Sequence, residues 1–557
     1  MIGVMEIEEQ SIELTGRGST GFWTRWGVGI LILVAVVATL PGWLPRRVYV
    51  SSKAVDRDSP QSRIISRISV AGSELRNGQW PLWNPSAGLG EPLLERGMVG
   101  VFAPTILPHL LLKPTWTWTI STALRAAMAG IGFWFLAGRY GLRDRSRFKV
   151  AAIFMLGAMN LAHFNESLLN LLPWLPWGVL ACEWIIVRVS LWRVVVVSLV
   201  FAGQFLTGDP AASICLLATV AAVMFFNLAW FKPRRALVAL PAVGLAIVLG
   251  VGLSAVQWIP MWMHLTHGYW KMPVGLSSRA NILWMWGLPT WMAITLFVGA
   301  VTSRLNGRRA NADLPPNEQP ASSGNSFKTA WLCWVAMIAL IGLSIGQQRG
   351  VSHTEFNAAQ QDLNQHSASK EVSGPSEMTL AWGVPKSDWF HTRSEVEANL
   401  AKPTFDSKAV VLLNDEISPD AMEWLNRIIP DRHQAGAEGK SFWSSTPKVE
   451  SADQSGNQIR VRVKSGGTGW IVVRSAFAEG WTAHTRPTGP LEAWAIRREQ
   501  IVLPANGKLM AVPVAVSMPV EIVLHYWPAS FRRGLLVSCG TGGVVVLLLG
   551  LGLSCKI

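Results

Sequence analysis

Long runs of apolar residues constrain the fold of this chain more than any other sequence feature. Most of these runs are roughly 18–25 residues long, which is the length that a helix needs to cross the hydrocarbon of a bilayer. Half of the 557 residues are hydrophobic and only 15% are charged, whereas about a quarter are charged in a typical soluble protein. The composition excludes a mainly disordered chain, argues against an all-soluble enzyme and predicts a polytopic membrane protein.

About ten segments are predicted to span the membrane. They are Phe22–Leu44, Trp116–Leu136, Val150–Leu161, Leu168–Val187, Val194–Leu206, Ala211–Trp230, Ala236–Trp258, Ile282–Thr302, Ala330–Ile345 and Leu535–Leu553. The first is too long for the apolar core of a cleaved signal peptide, so we expect a retained helix. The third and fifth are short enough to be tilted or re-entrant. The proline-containing stretch Val99–Leu112 is expected to be interfacial or re-entrant.

Basic residues gather in every second loop, which predicts the orientation of the chain. They are Arg139, Arg143, Arg145, Arg147 and Lys149, then Arg188 and Arg193, then Lys232, Arg234 and Arg235, then Arg304, Arg308 and Arg309. The intervening turns, His163–Glu166 and Gly208–Pro210, contain no Lys or Arg. Because basic residues in short loops stay in the cytoplasm, we expect the N-terminus inside and 45–98 and 347–531 outside. The arginines of 45–98 argue mildly against this orientation.

The formal charge of +14 comes from 49 Lys and Arg against 35 Asp and Glu. In a soluble domain this balance would suggest a nucleic-acid partner. In a membrane protein it is explained by cytoplasmic loops that face anionic lipid, so we expect membrane lipid and no nucleic acid as a partner.

Four regions follow from this topology: a cytoplasmic N-terminus (1–21), a multi-span domain (22–346), an extracytoplasmic domain (347–531) and a final transmembrane helix (532–557). Within the extracytoplasmic domain, Ser394–Leu400 and Pro419–Ile429 have helical patterns and Ala409–Leu413 resembles a strand. From about 447 to 531 apolar and polar residues alternate between turn signals, which predicts a small antiparallel β-sandwich.

The first outer loop contains the most distinctive candidates for chemistry. Asp56 and Asp58 are separated by one residue, so they could share a divalent cation, or one could act as a base. The alternative is a solvated acidic turn. The run from Trp80 through Trp83 and Asn84 to Pro85 predicts a rigid apolar loop at the membrane surface, with an interfacial plug as the structural alternative.

The order Asp58-x-x-Gln61, Gly78-x-x-Pro81-Leu82-Trp83-Asn84-Pro85, Gly90-x-Pro92 and Phe102-x-Pro104 resembles the signature of the YfhO-type bacterial membrane proteins. Later segments that resemble the family are Leu172–Pro176, Ala202–Pro210, Gln257-x-x-Pro260, Phe477–Trp481 and Tyr526-Trp527-Pro528-x-Ser530-Phe531-x-x-Gly534. The resemblance covers nearly the whole chain in the same order. The chain departs from the family in having fewer spans, and at Thr482–Ala495 and Glu450–Asn457.

The resemblance implies a glycosyltransferase of the GT-C type. Such enzymes move a sugar from a polyprenyl-phosphate carrier to a lipid, glycan or protein acceptor outside the bacterial cytoplasmic (inner) membrane. An acidic residue of the first outer loop is the expected catalytic centre; carried over, it is Asp58, with Gln61 beside it and Asp56 as second choice. The two aspartates are also the candidate ligands of Mg²⁺ or Mn²⁺. Trp83 and Asn84 are the candidate substrate contacts of the same loop.

Other polar residues are weaker candidates. Arg57, Arg63, Arg67 and Arg279 could bind phosphate as bidentate donors, or could contact lipid head groups instead. His163, Asn165 and Glu166 form an ionisable cluster in the second outer turn, or an exposed turn without function. Asp209 is expected to cap the next helix and Glu183 to reach the cytoplasmic surface. The rival function is a non-catalytic transporter or scaffold for cell-envelope polymers.

Overall fold

The chain is described in a computed structural model. The described residues are 21–39, 47–51, 60–95, 97, 100–112, 114–142, 144–162, 166–231, 233–266, 288–296, 298, 348–352, 380–384, 386–402, 405–407, 410–414, 422–423, 446–464, 467–488, 498–516 and 518–554. They are mostly helical, and a region of β-sheet precedes the C-terminal helix.

The helices, in chain order, are α1 (Gly21–Ala38), α2 (Pro60–Arg76), α3 (Leu107–Leu111), α4 (Pro114–Arg139), α5 (Asp144–Ala162), α6 (Glu166–Leu171), α7 (Leu175–Val187), α8 (Leu191–Phe205), α9 (Pro210–Phe226), α10 (Pro233–Leu253), α11 (Ala255–Thr266), α12 (Arg393–Leu400) and α13 (Ala529–Ser554). A 3₁₀ turn at Pro104–Ile106 precedes α3, and a π-helical turn at Asn227–Phe231 follows α9.

The strands are β1 (Arg47–Ser51), β2 (Trp83–Asn84), β3 (Glu91–Pro92), β4 (Gln348–Ser352), β5 (Ala381–Val384), β6 (Lys386–Phe390), β7 (Val410–Asn414), β8 (Val449–Ser455), β9 (Gln458–Val463), β10 (Gly467–Val473), β11 (Trp481–Pro487), β12 (Arg498–Gln500), β13 (Leu503–Ala505), β14 (Leu509–Val516) and β15 (Val520–Tyr526).

Several helices are long and apolar enough to cross a membrane, in agreement with the predicted class of protein. Within the described residues these are Thr117–Arg139, Ser167–Val187, Pro210–Ala229, Pro233–Leu253 and Ala529–Leu551, with shorter apolar helices at Trp26–Ala38 and Leu191–Phe205. The predicted span Ile282–Thr302 is described only in part, and Ala330–Ile345 lies outside the described residues. The described part of the chain is therefore mostly helical and contains five helices that could cross a membrane, and the number of ten spans stays a prediction.

The chain divides into two compact units. The first contains residues 1–65, 97–356 and 534–557, and the second contains residues 66–96 and 357–533. The end of the predicted first outer loop therefore folds with the C-terminal sheets.

In the first unit, α4 and α5 pack as an antiparallel pair. The rings of Phe133 and Phe154 are stacked with their centroids 4.4 Å apart, and Gly130 lies against Met155. The small side chain of a glycine lets two helices approach closely, which is typical of helix pairs in membranes. On α7, the indole nitrogen of Trp177 donates to the Met128 carbonyl at 2.9 Å, which joins α7 to α4.

The start of α9 confirms the predicted capping role of Asp209. Its side chain accepts a hydrogen bond from the backbone N–H of Ala212 at 3.0 Å, and Pro210 occupies the first turn, where its missing N–H costs nothing. Gly208 has a φ of +65°, a conformation that favours glycine, so the sharp turn into the helix depends on that residue.

The prediction for Glu183 is wrong. Its side chain does not extend to the surface: the residue is only 4% exposed. The side-chain amide of Asn227 donates to its carboxylate at 2.9 Å, and the hydroxyl of Tyr140 lies at 3.5 Å. Because these partners replace water at the carboxylate, the side chain can remain inside the helical unit.

The second unit contains two larger sheets. One has the strand order β5-β10-β14-β13-β7-β6 and the other β12-β11-β15-β9-β8. Their pairings are antiparallel except that of β6 with β7, which α12 connects in parallel. A capping box of Thr392 and Glu395 starts α12, which confirms the predicted helix at 394–400. The predicted strand at Ala409–Leu413 is β7, so the first sheet also draws on strands that precede residue 447.

Candidate functional site

The predicted site residues differ in how far the structure describes them. Asp56, Arg57, Asp58, His163, Asn165 and Arg279 lie outside the described residues, and so does the side chain of Arg63. Gln61 and Glu166 lie in the first turns of α2 and α6, but their side chains are not among those described. Trp83, Asn84 and Arg67 are described fully, and all three belong to the second unit.

Trp83 is fully buried in the second unit. Its ring packs on its edge against Trp481, with centroids 5.0 Å apart, and lies 4.9 Å from the ring of Tyr526. On another side it touches Gly90, where an added Cβ would come within 2.5 Å of the indole nitrogen. The described contacts of Trp83 are therefore internal and fix the loop to the sheet residues.

Asn84 and Arg67 both bind the buried carboxylate of Glu91. The Asn84 amide donates to Glu91 Oε1 at 3.3 Å, and its own oxygen accepts from the backbone N–H of Ser86 at 3.1 Å. Arg67 holds the same carboxylate through two hydrogen bonds of 2.7 and 3.1 Å. This bidentate pair is among the strongest polar contacts a protein can form. In this arrangement two N–H groups of the Arg67 guanidinium are used by Glu91, and Arg67 stabilises the loop.

Asn457 is a further link between the loop and the sheets, and it was not among the residues predicted from the sequence. It lies in the turn between β8 and β9. Its side-chain oxygen accepts from the backbone N–H of Trp83 at 2.9 Å, and its amide donates to the carbonyl of Trp80 at 2.6 Å. One side chain therefore satisfies two backbone groups of the loop.

The hydroxyl of Tyr526 completes these contacts by donating to Glu95 at 3.1 Å. Burial raises the pKa of Tyr526 well above its ordinary value, and the neighbouring carboxylate of Glu95 raises it further. The phenol consequently stays protonated and keeps its role as a donor. Nearby, an added Cβ on Gly480 would meet Pro528, and the rings of Trp80 and Phe531 lie 5.6 Å apart.

In the first unit, contacts bring several helix ends together at one end of the helical bundle. Ser121 donates to the carbonyl of Thr105 at 2.8 Å, and Asn170 donates to Asp209 at 3.1 Å. An added Cβ on Gly208 would lie 2.8 Å from the amide nitrogen of Gln257. We call this region the polar end of the first unit. Its buried polar side chains are Thr105, Ser121, Ser167, Asn170, Gln204, Thr207, Asp209 and Gln257.

Arg125 is a charged residue of the first unit that the sequence reasoning missed. It is 6% exposed, and its guanidinium lies over the ring of Trp118 at 5.6 Å. The contacts between α4 and α5 run antiparallel from Gly138–Arg147 to Gly130–Met155. If the same antiparallel pairing continues along α4, residue 125 lies beside the C-terminal end of α5. The sequence could have indicated Arg125, because it is the one charged residue of the predicted span 116–136.

Among the described residues, no group of three or more His, Cys, Asp or Glu side chains could hold a metal ion. The candidate ligands Asp56 and Asp58 are not part of that set. No protein-family model and no curated protein matches the chain.

Proposed function

We propose that the chain is a membrane glycosyltransferase of the GT-C type, related to the YfhO-type proteins and built on about ten spans. It would move a sugar from a polyprenyl-phosphate donor to a glycan, lipid or protein acceptor on the outer face of a bacterial cytoplasmic membrane. Asp58 would act as the general base, with Gln61 beside it. Asp56 and Asp58 are the side chains that would hold Mg²⁺ or Mn²⁺ if the reaction uses one.

The observation that carries this proposal is that signature residues far apart in the sequence contact one another. In the second unit, Trp83 of the first loop packs against Trp481 and Tyr526. In the first unit, Gly208 lies against Gln257. A set of chance matches would have no reason to meet in this way. The contacts support a family-specific fold, and through it the activity that the resemblance implies.

The position of the buried polar groups favours a transferase over a transporter. A transporter is expected to carry ionisable groups near the middle of several helices. In the described spans, Arg125 is the one buried charged residue that is not close to a helix end, since Glu183 lies four residues before the end of α7. The other buried polar side chains at the polar end are neutral, apart from the capping Asp209. This distribution supports chemistry near one membrane face.

The test compares cell-envelope glycans among the wild type, a deletion strain and strains that carry Asp58→Asn or Asp453→Asn. Asp58→Asn removes the base and changes few atoms, so it should reproduce the glycan loss of the deletion while membrane abundance stays normal. Asp453→Asn is the matched control, because it makes the same change at an exposed aspartate of β8 that does not belong to the predicted site. General-base catalysis contributes roughly 10²–10⁴-fold, so any residual transfer should fall below detection in a steady-state profile.

Two outcomes would contradict the proposal. If Asp58→Asn restores every glycan that the deletion strain lacks, the catalytic assignment is wrong. If the deletion strain loses no glycan at all but fails to export an envelope polymer, the transporter or scaffold function replaces the transferase.

A further inference from the structure

Arg125 is placed where a charge is costly. The span that contains it begins at Thr117, and eight residues of helix correspond to about 12 Å of depth. A charged side chain at such a depth is rare in membrane helices and generally pairs with another group or marks the path of an ion or substrate. Since Arg125 is 6% exposed, its side chain lies inside the unit and not at the lipid surface.

The guanidinium has no carboxylate partner among the described residues. Its one described interaction is with the face of the Trp118 ring. A ring face attracts the cation but leaves the N–H groups at the edge of the guanidinium plane free to donate. Five donors in a planar fork fit the oxygens of a phosphate group. The site therefore has the charge and the donors for an anion, with an aromatic ring that fixes the plane of the fork.

The surroundings of Arg125 favour an anion that is attached to a lipid. The neighbouring Leu124 is 36% exposed, and Phe135, three turns further along the same stripe of α4, is 46% exposed. In a bilayer this stripe faces the acyl chains, and Arg125 lies next to it on the helix circumference. An amphiphile that lies along the stripe could bring its phosphate to Arg125 without crossing a polar channel.

We propose that Arg125 binds the phosphate of a polyprenyl-phosphate carrier, with Trp118 holding the guanidinium in position. The inference rests on the proposed function, because it assigns a binding residue for the donor of that reaction. Arg125 would be a binding residue and not the base, since its guanidinium stays protonated.

The experiment measures binding of a polyprenyl phosphate to the full-length protein in detergent by native mass spectrometry and by the ligand-induced rise in melting temperature. The matching polyprenol and inorganic phosphate serve as comparison ligands. The variants are Arg125→Met, Arg125→Lys and, as the matched control, Arg139→Met, which removes an exposed arginine at the opposite end of α4.

Arg125→Met should weaken binding of the polyprenyl phosphate at least about tenfold, as expected for the loss of charge-assisted hydrogen bonds. Arg125→Lys should retain part of the affinity, and Arg139→Met all of it. The ligand-free melting temperature of Arg125→Met should not fall, because among the described residues no carboxylate would lose its partner when the guanidinium is removed. A structural arginine would give the opposite result, a lower melting temperature in the absence of ligand.

The results distinguish a failure of the Arg125 assignment from a failure of the proposed function. Wild-type binding of the polyprenyl phosphate with equal binding by Arg125→Met overturns the role of Arg125 and leaves the proposed function intact. No binding of the polyprenyl phosphate by the wild type overturns the proposed function and this inference with it. Full competition by inorganic phosphate at equal concentration would overturn the lipid-linked source of the anion.

Discussion

Replacing Asn457 with alanine should release the first loop from the sheets of the second unit. The substitution removes the acceptor for the Trp83 N–H and the donor for the Trp80 carbonyl, and the first of these groups is buried. A buried polar group that loses its partner costs about 1–3 kcal/mol. The Trp80 carbonyl still accepts from the backbone N–H of Leu82 at 2.9 Å, so the one group left without a partner is the Trp83 N–H. Local opening of the loop should therefore become easier by about 1–3 kcal/mol.

Hydrogen exchange of the full-length protein in detergent, followed by mass spectrometry, measures this opening directly. The reporters are loop amides with internal acceptors, Gly90 to the Ala87 carbonyl at 2.8 Å and Leu93 to the Leu82 carbonyl at 2.9 Å. Their exchange should accelerate roughly 5- to 140-fold in Asn457→Ala, since each 1.4 kcal/mol corresponds to a factor of ten.

Asn399→Ala is the matched control for this experiment. It makes the same chemical change on α12, where the side-chain NH₂ donates to the Glu395 carbonyl and the side-chain oxygen accepts from Lys402. Loop exchange should be unchanged in that variant. If the loop amides of Asn457→Ala exchange at the wild-type rate while the variant is folded, the Asn457 side chain does not hold the loop and the reasoning fails.

Two further predictions concern the glycine turn of the first unit and a half-buried carboxyl of the second. Gly208→Ala should lower the melting temperature by several degrees, because the φ of Gly208 is positive and the new Cβ would press on Gln257. The control Gly244→Ala should not lower it, since nothing lies within 4 Å of a Cβ added there. Equal melting temperatures of the two variants would refute the argument. Burial raises the pKa of Glu74 above 4.5, so its contribution to stability is fullest below that pH and declines as pH rises through the raised pKa. Glu74→Gln should therefore gain in melting temperature over the wild type more at pH 7 than at pH 4.5, and a constant difference would contradict the assignment.

The apolar runs predicted the helical unit well because crossing a bilayer imposes a length and a composition that can be counted along the chain. A local signal was equally reliable: the predicted cap at Asp209 involves residues only three positions apart. The prediction for Glu183 failed because its partner Asn227 is 44 residues away. Sequence distance to the end of a helix does not reveal whether an interior partner exists.

The contribution of Asn457 could not be predicted, since its bond to Trp83 joins residues 374 positions apart. Nothing in the composition of the turn between β8 and β9 marks this asparagine. Arg125 could have been found, because a lone arginine in an apolar run is unusual whatever surrounds it. The sequence does not show what surrounds Arg125. The structure shows that its guanidinium lies over the Trp118 ring and that no described carboxylate pairs with it.

The described signature residues are mainly packing residues, and this changes how mutations in them should be interpreted. Trp83 is fully buried between aromatic rings, and Gly90 cannot accept a Cβ without displacing it. Truncating a buried tryptophan costs about 3–5 kcal/mol, so Trp83→Ala would abolish transfer by unfolding the loop even if the residue never met a substrate. Loss of activity in such a variant cannot identify a substrate contact. Variants that preserve volume and packing, Asp58→Asn and Arg125→Met, are the ones in which lost activity or binding reports on chemistry.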